Sequence, residues 1–478
     1  MASRTTLNAR NLEALGAERL AELLIEISTG SAASKRRLRL ELAGSQGSSE
    51  VAAEVRKRLA SIARARTRID WRKVRAFSKD LDTQRTTIVE TVAPQDPEEA
   101  FELIWQFLAL AEPVFDRVEH SGDTVLALFR QACADAATIA GQARVAPDVL
   151  AGRVFAAVQE NGFGQYDALI AAMAPVLGGS GLDQLRSLLI AWSKEPRETP
   201  AQQDREILSW GSAGPVYLDE IDGNNRALTV RIALQDIADA LGDVDAYVAQ
   251  QPEATRTKPM VATDIASRLL QAGRAEEALA ALDQAGPAGT AEAPFAWQSA
   301  RAETLEALGR GAEAQAYRWA CFETSLSDEH LRAFVRRLPD FDDIEAEERA
   351  LAHARAFPDV HQALAFFLRW PALDAAARLV IDRQAELDGD LYPLMTLAAE
   401  ALGERHPLAA TIALRSMIDF TLGAARTSRY RHAARHFLES QALAPRIADF
   451  GAARSHEAYA ARLGSAHGRK HGFWKWLG

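Results

Sequence analysis

The residues whose type and spacing come closest to a chemical site are histidines near the C-terminal end. His432 and His436 stand four residues apart, as do His467 and His471, and His456 lies between the two pairs. On a helix, i, i+4 spacing puts two imidazoles on one face, where they can share a metal ion. Each pair is set among cations, in Tyr430-Arg-His-Ala-Ala-Arg-His436 and His467-Gly-Arg-Lys-His471, and such a setting repels another cation. Structural or surface histidines are therefore expected, and no metal or cofactor is assigned.

Other chemistry is sparser. There is no GxxxxGK[ST] phosphate loop and no HExxH zinc motif. Ser180 lacks the second glycine of a nucleophile elbow, because Leu182 stands there. Glu276-Glu277 and Asp342-Asp343 are carboxylate pairs expected on solvated helix surfaces. The two cysteines, Cys133 and Cys321, are 188 residues apart among apolar neighbours. They read as small buried hydrophobes in a reducing compartment, not as a zinc or dithiol site. No catalytic residue is assigned, and the chain is not expected to be an enzyme.

The sharpest surface feature is basic. Residues 35–85 hold 15 Lys and Arg against 6 Asp and Glu, a surplus of nine, within a chain whose net charge is −10. Everything outside that window therefore carries −19. Arg56, Lys57, Arg64 and Arg68 lie off the apolar arc of a helix expected over 50–69 and could meet nucleic-acid phosphates. The competing reading is intramolecular: a basic helix layer facing acidic helices, or a solvated face.

The elements that would carry these residues are helices. Alanine, the best helix former, accounts for 94 of 478 residues. Val51, Val55, Leu59, Ile62 and Ile69 fall within an arc of about 80° at helical periodicity, while Arg66 falls inside it and weakens the pattern. Asp96-Pro-Glu-Glu99 is a helix start, with a capping aspartate, a first-turn proline and glutamates opposing the helix dipole. Further helices are expected over 125–141, 147–159, 166–177 and 182–193, with Gly178-Gly-Ser-Gly181 as a tight connection. Residues 194–225, rich in Pro, Gly and charge, read as an irregular linker, and no strand–turn–strand signal stands out. The expected organisation is a helical domain over 1–193, that linker, and a second domain over 226–478. The first apolar patch, Leu20 to Ile27, is broken by Glu22 and Glu26. The longest apolar run, Ala168 to Leu177, is half the ~20 residues of a membrane span. A soluble cytoplasmic protein without a secretory signal or membrane partner is expected.

The second half resembles tetratricopeptide repeats in one region. With Gly273 as the turn glycine, Ala266, Ala278, Leu282 and Ala285 fall at the small and large packing positions. Gly309, 36 residues on, places Ala302 and Ala314 likewise; the consensus period is roughly 34. A loose third trace runs over Ala398–Gly403, and Trp370-Pro371 stands where another turn glycine would be wanted. A plain Ala-rich helical bundle is the competing reading.

Several segments make the whole chain similar to a bacterial all-helical family of unknown function. They are Arg37–Gly44, Val55–Leu59 with Ile69-Asp-Trp71, Ile237–Tyr247, Tyr430–Arg435, and His467-Gly-Arg-Lys with Phe473-Trp474. The C-terminal part is also similar to regions that accompany SWIM zinc fingers, although the finger's cysteines are absent. The resemblance implies a fold and no activity. The expected fold is all-α, with a helical N-terminal half and an elongated α-solenoid, tetratricopeptide-like C-terminal half. The expected function is a non-catalytic scaffold or adaptor for a protein or peptide partner. The alternative is a nucleic-acid-associated accessory protein using the basic helices.

Overall fold

The computed structural model describes residues 7–45, 47–118, 122–196, 207–211, 214–286 and 293–477. The chain divides into two compact units, Met1–Gln251 and Pro252–Gly478. Described elements of the first unit are α1 (Ala9–Glu13), α2 (Ala17–Ser28), α3 (Ala32–Gly44), α4 (Ser48–Arg64), α5 (Trp71–Thr87), α6 (Pro97–Leu108), α7 (Ala111–Phe115), α8 (Gly122–Gln142), α9 (Pro147–Gln159), α10 (Leu169–Lys194), the strands β1 (Ile207–Gly211) and β2 (Gly214–Tyr217), α11 (Leu218–Leu241) and α12 (Val244–Ala249).

The helix starts and stops follow local chemistry. Asp96 accepts a hydrogen bond from the Glu99 N–H at 3.0 Å and Pro97 opens α6, as the sequence leads one to expect. Gly178, at φ 57° and ψ −175°, breaks α10 where the glycine-rich connection was expected. Two expectations are corrected. α4 ends at Arg64, not at Ile69, because Ala65 turns extended; Ile69 instead donates its N–H to the Arg117 carbonyl at 2.8 Å. Arg66, which spoiled the helical pattern, thus lies beyond the helix. The 194–225 segment also contains an antiparallel hairpin, with Ile207 opposite Tyr217 and Trp210 opposite Pro215. Its apolar and aromatic arms are only four or five residues long and are flanked by Gly, Pro and Asn, which masked them. Residues 197–206 and 212–213 of this segment lie outside the described residues.

The core of the first unit runs through α4, α6, α8, α9 and α10, with Phe107 and Phe129 ring centroids 5.4 Å apart at its centre. α11 packs on α10 and buries Ala233 and Ile237 in that same core. The helix after the hairpin therefore belongs to the first unit, and the division falls after α12, not within the irregular segment. Apolar burial, not the polar break in the chain, sets the boundary.

The second unit contains α13 (Glu253–Arg256), α14 (Pro259–Gln271), α15 (Ala275–Gln284), α16 (Phe295–Ala307), α17 (Gly311–Ser325), α18 (Asp328–Val335), α19 (Asp342–Arg355), α20 (Val360–Arg369), α21 (Leu373–Asp382), α22 (Tyr392–Leu402), α23 (Pro407–Gly423), α24 (Tyr430–Leu443), α25 (His456–His467) and α26 (His471–Trp474). Gly273 and Gly309 close α14 and α16 in the left-handed conformation. After each, the next N–H reaches back five residues, Arg274 to Leu269 at 2.8 Å and Arg310 to Leu305 at 2.9 Å, the hydrogen bond of a Schellman cap. Ala266, Ala278, Leu282, Ala302 and Ala314 are buried, each at most 1% exposed. Gly403, at the end of the loose third trace, keeps a right-handed helical φ of −57° and makes no such turn. A second core lies over α17 to α23, with Phe322 and Phe366 among its fully buried rings.

Candidate functional site

The basic window folds into three neighbouring helices, α3, α4 and α5. Each contributes a stripe at helical spacing: Lys35, Arg36, Arg39 and Leu40 from α3; Glu54, Lys57, Arg58 and Ser61 from α4; Asp80 and Gln84 from α5. Residues three and four apart share a helix face, so three independent stripes converge. Apart from Asp80, these residues border one cavity of about 300 Å³.

Asp80 organises this layer. Its carboxylate accepts from Arg58 Nε at 3.1 Å and from a second, closer nitrogen of the same guanidinium, a forked contact. Arg36 reaches the same oxygen at 3.4 Å. The two guanidinium groups are thereby fixed by one carboxylate that is only 14% exposed. Arg85, nearby on α5, is held by Asp82 at 2.7 Å and Asp135 at 2.5 Å; these carboxylates hold its pKa above the ordinary arginine range despite burial. Gln84 is 1% exposed, and among the described residues its Oε1 has no hydrogen-bond donor; Arg36 Nε is likewise buried without an acceptor there.

The four cations singled out from sequence lie in different local settings. Lys57 borders the cavity, 3.4 Å from Glu54. Arg56 lies outside it and forms an ion pair with Glu99 of α6. Arg64 turns its Nε to the Ala60 carbonyl at 3.1 Å, and Arg68 is exposed in the extended chain after α4. Sequence reasoning missed Lys35, Arg36, Arg39, Arg58, Asp80 and Gln84. The available signal was the i, i+4 stripe on each helix; that the stripes face one another depends on tertiary packing.

The histidines divide by environment. His436 is buried, with Nε2 2.6 Å from the Tyr392 hydroxyl and Nδ1 3.0 Å from Glu439 Oε2. Burial pushes its pKa below the ordinary histidine range, outweighing Glu439. A neutral ring so placed donates from Nδ1 to the carboxylate and accepts the tyrosine proton at Nε2. Both nitrogens are used, so the His432–His436 pair does not present two free ligands. His432 is exposed, with its ring 6.1 Å from that of Tyr392. His456 packs on Phe437 at 4.8 Å, and His471 is exposed. Among the described residues no three His, Cys, Asp or Glu side chains are gathered to hold a metal. A cavity of about 600 Å³ beside His436 is bordered by Glu400, Glu439, Arg435 and Arg446, mixed in charge. Cys133 and Cys321 are buried and not joined in a disulfide, and burial pushes the Cys133 thiol up to about 12. That leaves it protonated and inert as a nucleophile. Among the described residues no helix is long and apolar enough to cross a membrane.

The profile of DUF6880, a family of unknown function, matches residues 2–476. The chain belongs to this DUF6880 family. No curated protein matches the sequence. Membership in DUF6880 thus spans both compact units, including the three-helix basic layer and the repeated turns of α14–α17, and assigns neither of them a role.

Proposed function

We propose that this DUF6880 protein is a non-catalytic, cytoplasmic scaffold or adaptor, whose Pro252–Gly478 unit is a tetratricopeptide-like helical-repeat array that binds a protein or peptide partner. The observation that carries this reading is the duplication of one local design. In both hairpins a left-handed glycine is followed by an arginine paired with the glutamate three residues on and then by a buried alanine: Gly273, Arg274, Glu277, Ala278, and Gly309, Arg310, Glu313, Ala314. The packing of α14 on both α15 and α16, and of α16 on α17, fits hairpins stacked on their neighbours. Along α14 to α24 the principal contacts join helices one or two apart in sequence, the pattern of a quasi-one-dimensional array. Such arrays present extended surfaces, and Met260 and Phe295 expose apolar side chains at the starts of α14 and α16.

The test is affinity capture on the immobilised full chain, comparing wild type with Met260→Glu and Phe295→Glu. A discrete protein retained by wild type and lost from both variants, at unchanged melting temperature, supports the reading. Equal capture by all three, or no specific capture, counts against it. The alternative, nucleic-acid association through Arg56, Lys57, Arg64 and Arg68, has weaker support, since Arg56 is engaged by Glu99 and Arg64 turns back on its own helix.

A further inference from the structure

We propose that the cavity between α3, α4 and α5 binds a small phosphorylated molecule. Its phosphate would be held by Arg36, Arg39, Lys57 and Arg58, and a hydroxyl or amine of the same molecule would donate to Gln84. Charge selects the anion. Among the described residues five cations, Lys35, Arg36, Arg39, Lys57 and Arg58, border the space, and Glu54 is the one acid on its lining. Asp80 offsets one charge more and leaves a surplus of three, which a multiply charged phosphate matches better than a single carboxylate. Geometry favours phosphate as well. Asp80 fixes the Arg58 fork and draws Arg36 beside it, so two guanidinium groups are oriented before any ligand arrives, and planar guanidinium donors suit phosphate oxygens.

Gln84 provides a second, independent observation. It is 1% exposed, yet among the described residues its Oε1 lacks a donor, and it lies on the cavity wall. A buried acceptor left unpaired is costly. An acceptor among cations calls for a ligand that carries a hydrogen-bond donor as well as anionic oxygens, which a sugar phosphate or a nucleotide does and a bare anion does poorly. Leu40 supplies an apolar wall. The volume of about 300 Å³ is at the small end for ligand pockets. Arg56, Arg64 and Arg68 lie outside this space, so the cavity is not one track along a nucleic-acid backbone. The inference stands independently of the scaffold reading.

The experiment is calorimetric titration of the full chain at constant ionic strength with adenosine monophosphate, ribose 5-phosphate, inorganic phosphate, sulfate and a short DNA duplex. Saturable one-site binding of at least one of the two organic phosphates, tighter than inorganic phosphate or sulfate, is expected. Arg39→Ala combined with Lys57→Ala should weaken it by about ten-fold or more, as loss of two charge-assisted contacts implies. Both side chains are exposed, so their removal leaves the packing intact. Gln84→Leu should weaken the organic phosphate and leave inorganic phosphate unchanged; if that variant melts early, the Arg39 and Lys57 pair decides alone. Absence of saturable binding at millimolar organic phosphate overturns the proposal, as does equal affinity of the double variant. Preferred binding of the duplex that survives loss of Arg39 and Lys57 but not Arg64→Glu with Arg68→Glu overturns it in favour of nucleic acid.

Discussion

Gly273 and Gly309 hold the same left-handed conformation, at φ 74° and 73°, in two turns that repeat each other's hydrogen bonds. A Cβ added at either glycine would meet nothing within 4 Å. The cost of Gly273→Ala is therefore conformational and should be about 1–2 kcal/mol. Gly309→Ala should cost a similar amount, and the double variant should equal the sum within about 0.5 kcal/mol. Urea denaturation of the three variants measures this; a neutral effect at both sites would mean the turns do not constrain the chain.

Ala278 is fully buried, whereas Glu276, two residues earlier on α15, is exposed. Ala278→Leu should overpack the hairpin and cost on the order of 1–3 kcal/mol. Glu276→Gln should stay within roughly ±0.5 kcal/mol. Thermal melts compare them, and the reverse order would invert the faces assigned to α15.

Asp80 gathers Arg36 and Arg58, and no other carboxylate approaches within ion-pair distance of either among the contacts described. Asp80→Ala leaves two neighbouring guanidinium groups facing each other without a counter-charge. A loss of about 1–3 kcal/mol is expected, between that of a buried hydrogen-bonded charge and that of an exposed pair. Arg64→Ala, whose guanidinium hydrogen-bonds to the Ala60 carbonyl of its own helix, should lie near zero. Equal effects of the two variants in chemical denaturation would contradict the role given to Asp80.

His330 is 2% exposed and hydrogen-bonded through Nε2 to Gln298 at 2.7 Å. Burial, aided by Arg318, lowers its pKa from 6.5 to about 4. The unfolded chain therefore takes up the proton first as pH falls. Stability from this residue is intact above pH ~6.5 and is lost progressively down to pH ~4, by at most about 3 kcal/mol. The melting temperature of wild type should drop more steeply across that window than that of His330→Gln. Parallel curves would show that His330 titrates alike in the folded and unfolded chain.

Local signals in the chain were readable where a single residue fixes the backbone or one face fixes the burial. Asp96 with Pro97, Gly178, and the alanines around Gly273 and Gly309 all act this way. Ile69 was misplaced because it is buried from the extended chain, in a backbone bridge with Val118 in which its N–H donates to the Arg117 carbonyl 48 residues away, and helical periodicity imitates that burial. The β1–β2 hairpin was hidden because its strands are shorter than the polar, proline-bearing context around them. The cations of the basic window were legible as charge. Which of them converge was not, because Asp80 and Gln84 are ordinary α5 residues until tertiary packing sets them against α3 and α4. The Tyr392–His436–Glu439 chain was equally invisible, since its tyrosine lies 44 residues from its histidine.

Whether Pro252–Gly478 is a partner-binding array is tested most directly by hydrogen exchange on the full chain, with and without the protein it captures. Slowed exchange over α14 and α16, extending to neighbouring hairpins and absent with the Met260→Glu variant, is the expected result. Protection confined to Met1–Gln251, with α14 to α17 exchanging as in the free chain, would contradict it.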